Sequence, residues 1–234
     1  MIYLTGDIHG DVNRIIDFCE EYSTTKNDIL ILLGDVGFNY FLNDRDVLMK
    51  ETASELPITL FCIRGNHEAR PTSTDCDYIL TQFCNGLVYQ QDEYSNIKFA
   101  IDGQVYSFNG KKCLVLGGAY SVDKFYRLRM GWHWFPNEQL SNTEQDIIYN
   151  DVVNKSFDYI LSHTCPYDTR PTHLFLSSID QSKVDNSMEK WMQRVADNIS
   201  FDKWYFGHFH DNWQNDKYIM LYTKVVQLGD DLNE

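Results

Sequence analysis

Apolar runs that stop at a glycine-flanked cluster of carboxylate, imidazole or amide side chains recur through this chain, and they constrain its fold more than any other feature. The first arrives after five residues. Ile2, Tyr3 and Leu4 read as a short buried strand, and Gly6-Asp7-Ile8-His9-Gly10 marks a sharp exit at its C-terminal end. Asp7 and His9 lie two apart, so an extended backbone sends both side chains to one side. A carboxylate and an imidazole sharing a strand end suit a metal ion of intermediate softness. One such pair is weak evidence, but later stretches repeat the pattern.

The chain in order predicts alternating elements. Asp11 to Glu21 has apolar residues at Val12, Ile15, Ile16 and Cys19, a helical period with Asp11 as N-cap. Asp28–Leu33 is a second buried strand, ending in Gly34-Asp35-Val36-Gly37, and Asn43–Glu55 reads as a helix. Pro57–Ile63 is a third strand, ending in Arg64-Gly65-Asn66-His67-Glu68. Strand, helix, strand, helix, strand indicates a parallel, right-handed α/β unit, whose ligands bind at the carboxyl ends of the strands.

After residue 70 the pattern becomes rich in short strands: Leu87–Tyr89, Ile97–Ile101, Gln104–Phe108 and Lys112–Leu116, with a hairpin turn at Asn109-Gly110. A glycine pair, Gly117-Gly118, leads into a segment of aromatics and cations from Asp123 to Pro136. Asn137–Asn154 reads as a helix, with Ser141 an alternative start. Phe157–Leu161 is a strand ending in Ser162-His163, and residues 167–184 are polar and irregular, a surface loop or lid. Asp185–Ile199 is helical, and Trp204–Phe206 is a strand ending in Gly207-His208-Phe209-His210. Tyr218–Tyr222 and Lys224–Leu228 are expected to close the chain as antiparallel strands. With no linker or repeat, residues 1–234 read as one domain.

Composition narrows the partners. A formal charge of −14 disfavours long nucleic acids and anionic membranes, because phosphates would be repelled. No apolar stretch approaches the roughly 20 residues of a membrane span. The six cysteines form no CxxC pair and read as reduced, buried thiols of an intracellular protein. A removable leader is not expected, since Asp7 and His9 lie where it would be cut away. The cytoplasm is the expected compartment.

Five of the seven histidines, His9, His67, His163, His208 and His210, fall at strand ends. With Asp7, Asp35 and Asn66 they form a nitrogen and oxygen donor set without thiolate. That set suits manganese first, with iron, zinc or nickel as alternatives. Eight donors exceed what one ion can use, and paired ions about 3.5–4 Å apart are a known device for phosphoryl chemistry.

The order GDIHG, GDVG, GNHE, Ser-His and GHFH, spanning residues 6–210, resembles the calcineurin-like metallophosphoesterase superfamily. The resemblance implies an α/β fold, a four-layer α/β/β/α sandwich of two mixed sheets flanked by helices. It implies that Asp7, His9 and His210 hold one divalent ion, that Asn66, His163 and His208 hold the other, and that Asp35 bridges them. Asn66 would also touch substrate. His67 would stabilise or protonate the leaving oxygen, while a hydroxide shared by the two ions attacks phosphorus in line. The expected substrate is a phosphomonoester, on a small molecule, a nucleotide or a phosphoprotein.

The chain departs from the phosphoprotein-phosphatase branch, which it echoes in GDIHG and RGNHE. That branch carries an Asp-Arg pair shortly after the second motif, where this chain has Phe38 and Asn39. The carboxylate that orients His67 and the cation that grips phosphate are therefore open. Arg127 is the first candidate for the cation, because a guanidinium grips phosphate bidentately, and Lys124 is the second. Glu68 reads as a supporting carboxylate and Arg64 as half of a structural ion pair. The run GGAYSVDK…R…GWHWFP also resembles uncharacterised bacterial and phage members of the superfamily. Two rival readings stay open: a nucleotide or nucleic-acid phosphodiesterase, and a metal-bound interaction module without turnover.

Overall fold

The first three strands are short and almost wholly buried, so both of their faces need cover. In the computed structural model, which describes residues 1–232, they are β1 (Ile2–Thr5), β2 (Ile29–Leu32) and β3 (Thr59–Cys62), paired in parallel. Helices α1 (Val12–Tyr22) and α2 (Asp44–Ser54) connect them. Val12, Ile15 and Phe18 of α1 pack on Tyr3, Leu30, Leu32 and Leu60 from one face of the sheet. The opposite face, Ile2, Leu4, Ile31 and Phe61, meets a second sheet.

The first sheet continues through β6 (Ile97–Ala100), β5 (Gly86–Gln90) and β4 (Ile79–Phe83), with β13 (Val226–Gln227) on its other edge. The second comprises β7 (Val105–Phe108), β8 (Lys111–Leu116), β9 (Ser156–Ser162), β10 (Ser200–Phe206), β11 (Trp213–Asn215) and β12 (Tyr218–Met220). Within it β8, β9, β10 and β12 run parallel, and β7 and β11 are antiparallel edges. Helices α4 (Asn142–Val152) and α5 (Ser187–Ala196) cover its outer face, with Ile148, Met188, Trp191 and Met192 packed on Leu114, Ile160 and Trp204. The order helix, sheet, sheet, helix is the four-layer sandwich that the resemblance implies.

Several local expectations are corrected. The Asp11 side chain makes no capping bond; it is exposed, and backbone bonds from Asp11 N to Ile8 O and Val12 N to Gly10 O close the turn instead. Helix α4 takes the alternative start, after Ser141, in a reciprocal capping box with Glu144. The carbonyls of Asn137, Glu138 and Gln139 cannot open a helix because Arg64 and Arg70 occupy them. The two C-terminal strands do not pair with each other. β12 pairs with β10 and β11, whereas β13 crosses to lie against β1, the crossing held by Thr5 Oγ1 donating to the Tyr222 and Lys224 carbonyls. The cysteines are all unpaired, but Cys76 is exposed and Cys84 half-buried. No helix among the described residues is long and apolar enough to cross a membrane.

This topology decides where the motifs go. The carboxyl ends of β1, β2 and β3 lie side by side in one sheet, and those of β9 and β10 in the other. Gly34 permits the two sets of loops to meet: at its φ of +96°, a Cβ would lie 2.1 Å from His163 Nδ1. Any side chain there would push the imidazole out of place.

Candidate metal centre and active site

Every one of the seven candidate metal ligands leaves the C-terminal end of a strand. Asp7 and His9 follow β1, Asp35 follows β2, Asn66 follows β3, His163 follows β9, and His208 and His210 follow β10. His9, Asp35, His208 and His210 adopt positive φ, between 46° and 71°. Four non-glycine residues held in this sparsely populated conformation store strain that the surrounding loops must sustain. The donor atoms of Asp7, His9 and His210 lie within 4.8 Å of one another, as do those of Asp7, Asp35 and His163, and those of His9, Asp35 and His67.

The hydrogen bonds show why this arrangement wants cations. The Nδ1 of His163 lies 2.8 Å from the Leu33 carbonyl, which can only accept, so the ring proton sits there and Nε2 presents a lone pair. That lone pair faces Asn66 Oδ1 at 2.9 Å and Asp35 Oδ1 at 3.5 Å. The Asn66 amide cannot flip to relieve the clash of acceptors, because its Nδ2 donates to Ser121 Oγ at 2.9 Å. Ser121 in turn donates to the buried Glu138, which also accepts from Trp134 Nε1. Three acceptors thus converge without a proton between them. On the other side, the Nε2 atoms of His9 and His210 approach to 2.9 Å, and His210 Nε2 lies 3.3 Å from Asp7 Oδ2. Asp7 is wholly buried, yet this oxygen has no hydrogen-bond donor. A divalent ion among such donors satisfies each of them, so the residues present fit the group.

Electrostatics agrees with the geometry. Burial works against the charge on Asp35, but the contact with His67 holds the carboxyl well below its ordinary range. Asp7 is lowered likewise, burial being outweighed by the histidines around it. Desolvation pushes His208 down to about 3, so it stays neutral and able to ligate. His208 is tied in through its backbone, whose N–H donates to Asp7 Oδ1 at 2.8 Å.

His67 sits at the edge of this cluster. Its Nδ1 lies 3.1 Å from Asp35 Oδ2 and 3.2 Å from Arg127 Nη2, and its Nε2 lies 3.7 Å from Asp123 Oδ1. Desolvation opposes its charge, but Asp35 and Asp123 prevail and hold its pKa up at about 9. Asp123 precedes the short helix α3 (Lys124–Met130), and Arg127 is buried within it. Arg127 Nε donates to Asp123 Oδ2 at 2.7 Å, and its Nη1 to the Tyr40 hydroxyl at 3.1 Å. Of the two candidate cations, the fold therefore brings Arg127 to the site, whereas Lys124 Nζ lies over the Trp134 ring, 3.9 Å from its centroid.

Asp123, Ser121 and Glu138 escaped the reading of the sequence. The usable signal was the Gly117-Gly118 exit after β8, which resembles the other site loops. Glu68 supports the loop from below, accepting from Gly65 N at 2.8 Å, and burial followed by Asp35 raises its pKa to about 7. Arg64 is structural, paired with Asp102 at 2.9 Å. Phe38 and Asn39 are buried, Asn39 accepting from the Tyr78 hydroxyl.

Two openings reach His67. One is a cavity of about 390 Å³ running from Asp35, Asn66, His208 and His210 beneath residues 170–186. The other, about 140 Å³, lies between His9, Tyr40, Phe41, Arg127 and Trp132.

Comparison with known proteins agrees with this geometry. A family model described as calcineurin-like phosphoesterase matches residues 1–212. A curated relative, the serine/threonine-protein phosphatase PP2A-like PPG1 of Candida albicans, is 26% identical over 137 residues. The match covers 53% of this chain and 33% of that protein, so the chain spans about a third of the length of the relative it matches.

Proposed function

The chain belongs to the calcineurin-like phosphoesterase family, and from that premise we propose that it hydrolyses phosphomonoesters at a dinuclear metal centre. The observation that carries the reading is the convergence of His163 Nε2, Asn66 Oδ1 and Asp35 Oδ1 without a donor among them, beside the orphaned Asp7 Oδ2. Asp7, His9 and His210 would hold one ion, Asn66, His163 and His208 the other, and Asp35 both. The nitrogen and oxygen donors favour manganese, with iron, zinc or nickel as alternatives. When bound, the ions supply an activated water nucleophile at neutral pH and Lewis-acid neutralisation of phosphoryl charge.

The protein groups divide the remaining work. His67, held by Asp35 and Asp123, keeps a proton available for the leaving oxygen. Arg127 presents a guanidinium beside it to a phosphoryl oxygen, with Asp123 and Tyr40 fixing its orientation. Ser121 and Glu138 lock the Asn66 amide, whose oxygen would then be held toward the ion. The name of the Candida relative supports phosphoproteins as substrates, and small phosphorylated molecules remain within the same chemistry.

A second reading, phosphodiester hydrolysis, draws on the two openings that flank His67, since a diester carries two substituents to accommodate. The test is to load the protein with Mn²⁺, measure bound metal by elemental analysis, and compare rates on p-nitrophenyl phosphate and its bis ester. Two equivalents of metal and a faster monoester support the proposal. A faster bis ester moves the assignment to diesters, and metal without turnover of either would point to a binding module.

A further inference from the structure

The larger cavity differs in character from the centre it opens off. Around Asn66, His67 and His208 it is polar, but its wall beneath residues 170–186 is Leu174, Phe175, Leu176, Ile179, Val184 and Phe209. Taking the site as a phosphoesterase, we propose that this hollow receives the leaving group, and that it selects phosphomonoesters whose leaving group is compact, apolar and not anionic.

Continuity with the centre is the first argument. The cavity shares Asp35, Asn66, His67 and His210 with the candidate centre, so a phosphoryl group held there has its substituent at the mouth of the apolar hollow. Size is the second: about 390 Å³ lies near the lower end of the roughly 300–1,000 Å³ typical of small-molecule sites. Charge is the third. Glu189 lines the cavity, 5% exposed with its Oε2 lacking any donor, whereas Asp35 and Asp123 on the polar side are paired with His67 and Arg127. Arg170, the one guanidinium in the lining, is held in place by neutral partners. Its Nε donates to the Tyr167 carbonyl at 2.8 Å, its Nη1 to Asn186 Oδ1 at 2.6 Å, and its plane stacks 3.5 Å above the Tyr167 ring. A carboxylate or second phosphate on the leaving group would lose its hydration against the apolar wall, beside a Glu189 oxygen that has no donor to offer it. A hydrocarbon or aryl group would meet Phe175 and Phe209, whose rings lie nearly parallel 6.2 Å apart.

Ethyl, benzyl and 4-carboxybenzyl phosphate have alkyl leaving oxygens of similar basicity and separate these arguments. With Mn²⁺-loaded protein, kcat/KM for benzyl phosphate is expected to exceed that for ethyl phosphate by roughly tenfold or more, and the carboxylate to reverse the gain. Ile179→Asp and Phe175→Ala, both in the segment outside the sheets, are each expected to bring the benzyl ester down towards the ethyl ester. Circular dichroism checks that each variant folds. A second readout needs no turnover: calorimetry of benzylphosphonate against ethylphosphonate on the same loaded protein. Equal rates across the three esters, or a benzyl preference that survives both substitutions, overturns the pocket. Metal-loaded protein that cleaves none of them overturns the phosphoesterase reading instead. The phosphonate titration then decides the pocket, tighter benzylphosphonate upholding it and equal affinity removing it.

Discussion

Arg127 Nη2 lies 3.2 Å from His67 Nδ1, although sixty residues separate the two in the chain. The contact brings a cation from a two-turn helix on the second sheet's side to a histidine loop that leaves the first sheet. It places a guanidinium where the chain's own second motif offers only Phe38 and Asn39. Arg127→Ala is expected to lower kcat/KM for p-nitrophenyl phosphate by roughly 10- to 100-fold, the worth of a charge-assisted hydrogen bond. Arg127→Lys is expected to rescue little, because one ammonium cannot serve Asp123, Tyr40 and substrate together. Steady-state kinetics on both variants checks this; full activity in the alanine variant would remove Arg127 from the site.

Asp35 and His67 touch each other, yet their substitutions should separate. Asp35 is the carboxylate that reaches His9, His67 and His163. Asp35→Asn is expected to lose bound metal and at least about 100-fold in activity, since even outer partners of metal ligands cost 10–100-fold. His67→Ala is expected to retain both ions and lose roughly 10²–10⁴-fold in turnover, the usual contribution of a general acid. Elemental analysis beside kinetics discriminates them. Metal content unchanged in Asp35→Asn would count against the bridging role.

Ser121 gives a subtler test, because it touches no metal donor atom. It holds Asn66 through Nδ2 and passes the constraint to Glu138. Ser121→Ala frees the amide to rotate and leaves buried groups unpaired, so metal affinity is expected to fall roughly 10- to 100-fold while the fold persists. Competition with a chelator measures the affinity, and near-ultraviolet circular dichroism the fold.

The parts of this molecule that were legible in its sequence share one property: their signal is local. Asp7, His9, Asp35, Asn66, His163 and His208 each sit beside glycine or serine after an apolar run, and His210 lies two residues past His208, so strand end and donor appear together in a few residues. The Asn109-Gly110 hairpin is legible for the same reason, with both residues at positive φ. The hairpin joining β4 and β5 was missed although Asn85-Gly86 stands at its turn: the two turn residues are Cys84 and Asn85, Gly86 already belongs to β5, and the mostly exposed β4 has no apolar run to mark it. Helix α3 was missed because its pattern is inverted. Phe125, Tyr126, Leu128 and Met130 are exposed while Arg127 is buried, so no apolar period marks the helix. The pairing of Asp123 with His67 depends on the loop after β8 meeting the loop after β3. No spacing along the chain encodes such a contact.

Glu189 supplies the pH-dependent expectation. It lies on α5, 5% exposed, with Oε1 accepting from Thr164 Oγ1 at 3.1 Å and Oε2 without a donor. Burial raises its pKa from 4.5 to about 6, against smaller lowering by its hydrogen bonds. The folded chain therefore holds this proton more tightly than the unfolded chain between those two values. Its contribution is fully present below pH 4.5 and is lost as pH rises through about 6. Above that, the ionised carboxyl costs about 2 kcal/mol, from 1.36 kcal/mol per unit. Glu189→Gln keeps an acceptor for Thr164 and removes the titration. The difference in unfolding free energy between variant and parent should thus be small at pH 4 and grow to about 2 kcal/mol in the variant's favour by pH 7. Urea unfolding at half-unit pH steps reads that difference directly. A difference that stays constant over this range would mean that Glu189 is solvated in the folded protein, with Oε2 reached by water through the cavity it lines.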